Sequence, residues 1–394
     1  MWIATQNDQM VRSYRINHSS GAISPIGTNG SPVATGLEPT AIVVSHDGSN
    51  VFIANAGDNT LSQYVIASDG SLVSAFAPVP TGVTPTALAV DPAGAFLFVA
   101  DYGANAIMVF GNGTGQLTLL ASFATQIPLP TGGTGPVALA VAPNSFPCTD
   151  NRTNVPLKRN CYALYAANQI SGTVTAYDYF VDNNGSFVRG SVDLNGNFIL
   201  GGTVLGSPFT VGTSPAGLAF SRCAGITAGT PGTACAAGDG NNLFVANSGS
   251  NDISILSACI ELVTCRLGES SPDGSLVQVG PSVAAGTGPT TVLVDPSADF
   301  VYVLDPGSNQ ISEYQYSRVS GGLTILGATT PGSTQLSAAT VTPSISVSST
   351  TSNWILITSN GALSALSTGA DGSLTPVSAG QVTIQGQPSA LLVH

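Results

Sequence analysis

Polar residues with oxygen-bearing side chains recur where short apolar segments of this chain end. Asn55 ends VFIAN, Asp101 ends LFVAD and Asp305 ends VYVLD. Carboxylate and amide oxygens are the ligands that Ca²⁺ prefers, so these side chains could bind a ligand or a cation, with Asp101 and Asp305 as the metal candidates. An alternative stays open, in which Asn and Asp only begin turns by hydrogen-bonding their own backbone. The candidate binding residues are Glu38, Asn55, Asp101, Asn168, Asn247 and Asp305.

Other catalytic groups are scarce. The three histidines, His18, His46 and His394, stand away from these polar positions, which argues against a Ser/His/Asp triad or a histidine–metal site. The segment GNGTG at 111–115 precedes a β-prone stretch instead of a helix, so it is read as a turn and not as a dinucleotide-binding loop. The residues alone assign no catalytic group.

Composition excludes several partners. The net charge is −12, Lys158 is the only lysine and charged residues make up 8% of the chain. No basic surface is available to neutralise phosphates, so nucleic acid and anionic membranes are not expected as partners. No apolar run reaches the roughly 18–20 residues that a membrane-spanning helix needs.

The elements that position the polar residues come from a repeat. One copy, PTALAVDPAGAFLFVADYGANAIMVF at 85–110, contains three short apolar strands separated by turns, and a fourth strand follows at 117–122. Alternating strands and turns of this length predict a four-stranded antiparallel sheet. A Gly and Pro loop before the first strand recurs seven times, with its proline at Pro39, Pro85, Pro136, Pro215, Pro289, Pro343 and Pro388.

The two ends of the chain complement each other. The last proline-led strand, 388–393, has no partner after it, and the chain opens with a second-type strand at 2–5 that has no first strand before it. Pairing these two strands would close a ring and leave no blade edge unpaired. The sequence therefore predicts an all-β fold, a seven-bladed β-propeller with four-stranded antiparallel blades, forming one domain over 1–394.

Two copies carry a family resemblance. VFIANAGDNTLSQY at 51–64 and LFVANSGSNDISIL at 243–256 resemble the repeats of YVTN-repeat and lactonase-type seven-bladed propellers. The resemblance implies the propeller fold. It implies two kinds of function, because the family includes proteins similar to 6-phosphogluconolactonase as well as non-enzymatic surface-layer or cell-envelope propellers.

Blades four and five are longer than the others. Insertions at 144–161, 180–207, 221–240 and 257–274 are expected on one face of the ring and contain all six cysteines. Local spacing favours the pairs Cys148–Cys161, Cys223–Cys235 and Cys259–Cys265. A metal site or redox thiols are the alternative, although no CxxC motif is present. Disulfides indicate an oxidising compartment, so we expect an extracellular, periplasmic or cell-surface protein whose leader has been removed or is unannotated.

Two functions from different classes follow. The favoured hypothesis is an exported, non-enzymatic binding or cell-envelope module that recognises a protein or glycan through an aromatic surface on the insertion face. The alternative is a lactone hydrolase at the opposite channel mouth, with metal assistance through Asp101 or Asp305. The few Arg and Lys residues argue against a phosphorylated substrate for the latter. The aromatic residues expected on the insertion face are Phe146, Tyr179, Phe180, Phe187 and Phe198. In an alternative that stays open, these aromatic residues only cover the edge of the blade.

Overall fold

The computed structural model describes most of the chain. The described residues are 1–17, 19–112, 116–120, 129–130, 132–149, 156–181, 187–189, 204, 206–221, 241–260, 274–295, 297, 299–331, 344–347, 354–359, 361–377 and 381–392.

Strands dominate the described residues and form seven antiparallel sheets, the blades. Blades one and two contain β1 Trp2–Thr5, β2 Met10–Ile16, β3 Ile23–Pro25, β4 Val33–Ala34, β5 Pro39–Val44, β6 Asn50–Asn55, β7 Thr60–Ile66, β8 Leu72–Ser74 and β9 Val79–Pro80. Blades three and four contain β10 Pro85–Val90, β11 Phe96–Asp101, β12 Ala106–Gly111, β13 Thr118–Leu119, β14 Leu129–Pro130, β15 Pro136–Val141, β16 Phe146–Thr149, β17 Pro156–Asn168, β18 Thr173–Val181, β19 Phe187–Arg189 and β20 Phe209–Thr210. Blades five to seven contain β21 Pro215–Phe220, β22 Asn242–Asn247, β23 Asp252–Ala258, β24 Leu276–Gln278, β25 Val283–Ala284, β26 Thr291–Val294, β27 Phe300–Asp305, β28 Gln310–Tyr316, β29 Leu323–Thr329, β30 Ser344–Val347, β31 Trp354–Ser359, β32 Ala362–Thr368, β33 Leu374–Pro376 and β34 Val382–Thr383, and β35 Pro388–Leu392 completes blade one. Single 3₁₀ turns lie at Thr28–Gly30 and Pro306–Ser308.

The four main strands of a blade are called inner, second, third and outer strands. Each inner strand lies against the inner strands of the two neighbouring blades, from β5 through β10, β15, β21, β26 and β30 to β35, which returns to β5. The prediction of a seven-bladed propeller with four-stranded blades is confirmed.

The chain ends meet in blade one. The inner strand β35 pairs with β1 in an antiparallel register that places Trp2 opposite Leu392, Ile3 opposite Leu391 and Ala4 opposite Ala390. Both strands are apolar and largely buried. The sheet therefore joins the ends of the ring by backbone hydrogen bonds, as the complementary strands in the sequence predicted.

The core lies between blades, and this explains why the second strands are apolar without alternation. In β6, Val51 and Ile53 pack toward blade one, whereas Phe52 packs against Leu97 and the rest of blade three. Because side chains alternate between the two faces of a strand, a blade buried on both faces needs apolar residues at every position. The second strand of each blade therefore packs against neighbouring blades on both of its faces.

The expected aromatic surface on the insertion face is wrong for the residues that are described. Phe146, Tyr179 and Phe180 are all buried. Tyr179 lies between blades three and four, with its ring centroid 5.2 Å from that of Phe98 and 5.5 Å from that of Tyr162. The cause is that β17 and β18 stay paired as far as Tyr162 and Tyr179, so the side chains along this part of blade four pack into the interfaces between blades. Phe187 and Phe198 have side chains outside the described residues.

The predicted insertions and cysteines fall largely outside the described residues. Within 144–161, β16 pairs with the start of β17, so this insertion lengthens a blade strand. Cys161 and Cys259 are each disulfide-bonded. The side chains of Cys148, Cys223, Cys235 and Cys265 are not described, so the three pairings stay a prediction. Among the described residues, no helix is long and apolar enough to cross a membrane.

Candidate functional site

The polar residues that end the second strands lie on one side of the ring, which we call the turn face. It carries the second-to-third turns and the Gly-x-x-Pro loops that lead into the inner strands, called leading loops. The strand-end side chains are fully buried beneath these loops instead of lining an open mouth. Glu38, the remaining predicted residue, is exposed on a leading loop with a positive φ of 50°. The buried residues are Thr5, Asn55, Asp101, Asn168, Asn247, Asp305 and Thr358.

The leading-loop glycines cover these side chains. A Cβ at Gly36 would lie 2.7 Å from Cγ of Asn55, and one at Gly82 would lie 2.5 Å from Oδ2 of Asp101. Only glycine leaves room for the strand-end side chain. The glycine that recurs in the leading loops therefore lies directly over the polar side chain that ends the second strand.

Most strand-end side chains serve the blade itself. Nδ2 of Asn55 donates to Oγ1 of Thr60 at 3.1 Å and to Oγ of Ser62 at 3.0 Å. Asn168 makes the same two bonds to Thr173 and Thr175. These amides fasten the second strand to the third strand through bonds to side chains, whereas the turn-forming alternative expected bonds to their own backbone.

A second interaction joins adjacent blades and was missed in the sequence. Asn59 adopts a positive φ of 58° at the end of its turn, and its Oδ1 accepts the backbone N–H of Thr84 in the next leading loop at 2.7 Å. Asn251 accepts the N–H of Gly288 in the same way at 2.8 Å. The signal was present as the Asn that precedes the third strand in GDNT, GANA, GSND and GSNQ. Asn tolerates the left-handed conformation, so it suits both the turn position with a positive φ and the hydrogen bond to the next leading loop.

Blade three departs from this polar pattern around Asp101. The places from which other blades present Ser, Thr or Asp to the strand end hold Ala104, Ala106 and Met108. Oδ2 of Asp101 accepts the N–H of Gly82 at 3.2 Å, and Oδ1 has no hydrogen-bond partner among the described residues. Burial in these surroundings raises the pKa of Asp101 to about 7 because the charged form loses its hydration.

Asp305 occupies the matching place in blade six with more polar neighbours. Ser312 donates its hydroxyl to Oδ2 at 2.5 Å. Burial still raises the pKa of Asp305, but only to about 6. The Ser312 hydroxyl favours the charged form, which accounts for the smaller shift.

No metal cluster joins the two carboxyls. Among the described residues, no group of three or more His, Cys, Asp or Glu side chains could hold a metal ion. Asp101 and Asp305 end strands of blades three and six, so the two carboxyls do not form one metal site together. Ca²⁺ binding stays a prediction. Two of the three histidines, His18 and His394, lie outside the described residues.

The cationic side chains that are described are engaged locally. Arg12 is buried in blade one, where it donates to Thr5 at 2.8 Å and forms an ion pair with Asp8. Arg318 pairs with Asp299 at 2.8 Å. Arg15 reaches the carbonyl of Asp69 at 3.4 Å.

Comparison with known proteins finds similar lactonase-type propellers. A family model described as "Lactonase, 7-bladed beta-propeller" matches residues 1–133. No curated protein has a sequence that matches this chain. The chain is similar in structure to a candidate 6-phosphogluconolactonase of Bacteroides uniformis, with 15% identity, a TM-score of 0.70, and coverage of 98% of this chain and 96% of that chain.

Two further solved structures are similar. A candidate 6-phosphogluconolactonase of Bacteroides fragilis has 17% identity and a TM-score of 0.65, covering 99% of this chain and 96% of that chain. The periplasmic gluconolactonase of Pseudomonas aeruginosa has 16% identity and a TM-score of 0.66, covering 98% and 96%. At these identities the likeness concerns the fold. The predicted resemblance to lactonase-type seven-bladed propellers is confirmed.

The expectation of a non-enzymatic binding or cell-envelope module is overturned. The family match is to a lactonase model, and the similar propellers include lactonases by name. The aromatic surface that supported the binding module is also buried where it is described. The alternative, a lactonase-like propeller, is the better interpretation.

Proposed function

We propose that this protein is a lactone hydrolase in which Asp101 acts as the general acid–base. One observation carries the proposal: a buried carboxyl with a pKa of about 7 lies inside the segment that matches the lactonase model. A general base works best when its pKa is near the working pH. Carboxyls with pKa values raised this far are concentrated at functional sites.

The reaction uses water and needs no other reactant. The Asp101 carboxylate accepts a proton from a water molecule while the water oxygen forms a bond to the lactone carbonyl carbon. The tetrahedral intermediate then collapses, the bond between the carbonyl carbon and the ring oxygen breaks, and the carboxylic acid returns the proton to that oxygen. The product is the open hydroxy acid, and Asp101 ends in its starting state.

Access to Asp101 requires displacement of the leading loop above it. In blades two, four, five and six a turn side chain caps the N–H of the residue after the loop glycine, as Asp58 does for Leu37 at 3.2 Å and Ser171 for Thr134 at 3.1 Å. Ser250 and Ser308 do the same in blades five and six. Ala104 stands at this place in blade three, so the loop over Asp101 lacks that side-chain cap. We propose that this loop opens for substrate.

A neutral lactone suits this site better than a phosphorylated one. The arginines whose side chains are described each bond to a carboxylate or a carbonyl, and the chain carries a net charge of −12. Phosphate recognition generally requires Arg, Lys or a helix N-terminus.

The test is hydrolysis of glucono-δ-lactone and δ-valerolactone above the uncatalysed rate, with Asp101→Asn and Asp305→Asn compared. Asn ends the second strand in three other blades, so both variants should fold. We expect Asp101→Asn to reduce kcat about 100-fold or more, the usual contribution of a general acid–base, and Asp305→Asn to retain activity. Equal activity of the two variants would exclude Asp101, and no turnover by the wild type would exclude a lactonase. Repeating the assay after chelation tests the predicted Ca²⁺.

A further inference from the structure

Large apolar side chains are exposed on the turn face of blades two to four. The exposed fraction is 44% for Leu37, 50% for Val83 and 65% for Ile170. Leu37 and Val83 each follow the glycine of a leading loop, where the corresponding residues of the next three blades are threonine. Ile170 takes a place in its turn that is glycine in four other blades. At these three positions blades two to four therefore carry apolar residues where the repeat has threonine or glycine.

Val83 belongs to the loop that covers Asp101, and Ile170 is linked to this place through Tyr102. Val83 directly follows Gly82, whose N–H binds Asp101, and its Cγ1 lies 2.6 Å from the place of a Cβ at Gly103. Tyr102 and Ile170 flank Gly135, each with an atom 2.9 Å from the place of a Cβ there. Val83, Tyr102 and Ile170 thus form a continuous rim from the blade-three leading loop to the blade-four turn, which we call the apolar rim.

The charged residues on the turn face near the apolar rim also favour one class of substrate. Glu38 and Asp58 are exposed on the turn face of blade two, beside Leu37. Arg12, on the blade-one side, is buried against Asp8. An anionic substrate would meet carboxylates without a free described cation, whereas an uncharged substrate would not be repelled.

We infer that the apolar rim binds the alkyl substituent of the lactone, so the substrate class is an uncharged lactone with an aliphatic side chain. This inference rests on the proposed function and deepens it. The ring carbonyl would lie at the blade-three loop above Asp101, and the alkyl chain would extend over Val83 and Ile170. Polar sugar lactones leave the rim in water and gain nothing from it.

Chain-length dependence tests the inference with the full-length protein. We would measure kcat/KM for δ-valerolactone and for δ-lactones with alkyl substituents of increasing length, up to δ-decalactone. A fully buried methylene raises affinity about fourfold, so a half-exposed rim should raise kcat/KM about twofold per methylene. The decalactone to valerolactone ratio should fall at least fivefold in the double variant Val83→Thr/Ile170→Thr.

The matched control is Val73→Thr, at an outer-strand valine with an exposed fraction of 53%. This variant should keep the wild-type ratio, which separates a rim effect from a general loss of stability. Two results overturn the inference alone: equal kcat/KM along the series, or a ratio that Val83→Thr/Ile170→Thr leaves unchanged. Absence of turnover with every lactone, including glucono-δ-lactone, overturns the proposed function and the inference together.

Discussion

Met108 stands seven residues after Asp101, at the place from which Ser312 donates a hydrogen bond to Asp305. The two carboxyls therefore end equivalent strands with different third-strand neighbours, a thioether in blade three and a hydroxyl in blade six. Burial raises the pKa of Asp101 to about 7 and that of Asp305 to about 6. The Ser312 hydroxyl, which has no counterpart at Met108, favours the charged form of Asp305 and so acts in the direction of the difference.

Replacing Met108 by Ser should lower the pKa of Asp101, in the direction of the value for Asp305. A hydroxyl at this position would donate to the carboxylate and favour its charged form. The measurement is an NMR titration of the Asp101 carboxyl carbon. Met108→Leu adds no donor and serves as the control, so an equal shift in both variants would contradict the explanation.

The stability of the protein should fall as pH rises from about 4 to 7. In the unfolded chain Asp101 ionises near its ordinary value of 3.8, but in the folded protein it keeps its proton up to about 7. Between these values the folded state holds more protons, so ionisation favours unfolding, by up to about 4 kcal/mol above pH 7.

Urea unfolding at pH 5 and pH 8 checks this for three proteins. Asp101→Asn should remove most of the loss of unfolding free energy that the wild type shows between these pH values. Asp305→Asn should remove only the part below about pH 6, because its folded pKa is lower. A wild type that is as stable at pH 8 as at pH 5 would show that Asp101 ionises freely when folded.

The sequence predicted the ring of blades better than the environment of its polar residues. The proline-led strands begin at Pro39 and Pro85 as expected, because the apolar pattern and the turns are local properties. That Gly82 covers Asp101 is a contact between a loop and a strand in one blade, and no local pattern reveals it. The polar residues that end the second strands were consequently expected to be available for binding, whereas they are buried.

The error over Tyr179 has the same origin. Its position directly before the 180–207 insertion suggested an exposed aromatic residue, but β18 continues to Val181 and the Tyr179 ring packs against Phe98 of the neighbouring blade. Strand length in blade four could not be read from the repeat, because this blade departs from it. Ala104, Ala106 and Met108 could have been identified by comparing the blades position by position, since the repeat defines the register.

Removing the amide of Asn59 should weaken the contact between blades two and three. Asn59→Gly keeps the positive φ without strain and leaves the N–H of Thr84, now bonded at 2.7 Å, without its acceptor. The expected cost is about 1–2 kcal/mol in the free energy of unfolding. Asn59→Asp retains an acceptor oxygen and should recover most of this loss, so the same cost in both variants would exclude the hydrogen bond as its cause.

The closure of the ring in blade one should appear as coupling between Ile3 and Leu391. These residues lie opposite each other on β1 and β35 and belong to one buried cluster between blades one and seven. Each change to Ala removes buried methyl groups and should cost about 2–4 kcal/mol. Because the two side chains share a cross-strand contact, the double variant should lose about 0.5–1 kcal/mol less than the sum of the single variants.

A double-mutant cycle by urea unfolding measures this coupling. Val319, whose side chain is fully exposed, supplies the control: Ile3→Ala and Val319→Ala should add within about 0.5 kcal/mol, since they share no partner. Strict additivity for Ile3 and Leu391 would mean that the two ends of the chain do not stabilise each other in solution. Coupling would show that the last strand is an integral part of the first blade. If β35 paired only weakly with β1, the loss of methyl groups at Leu391 would not change the cost of their loss at Ile3.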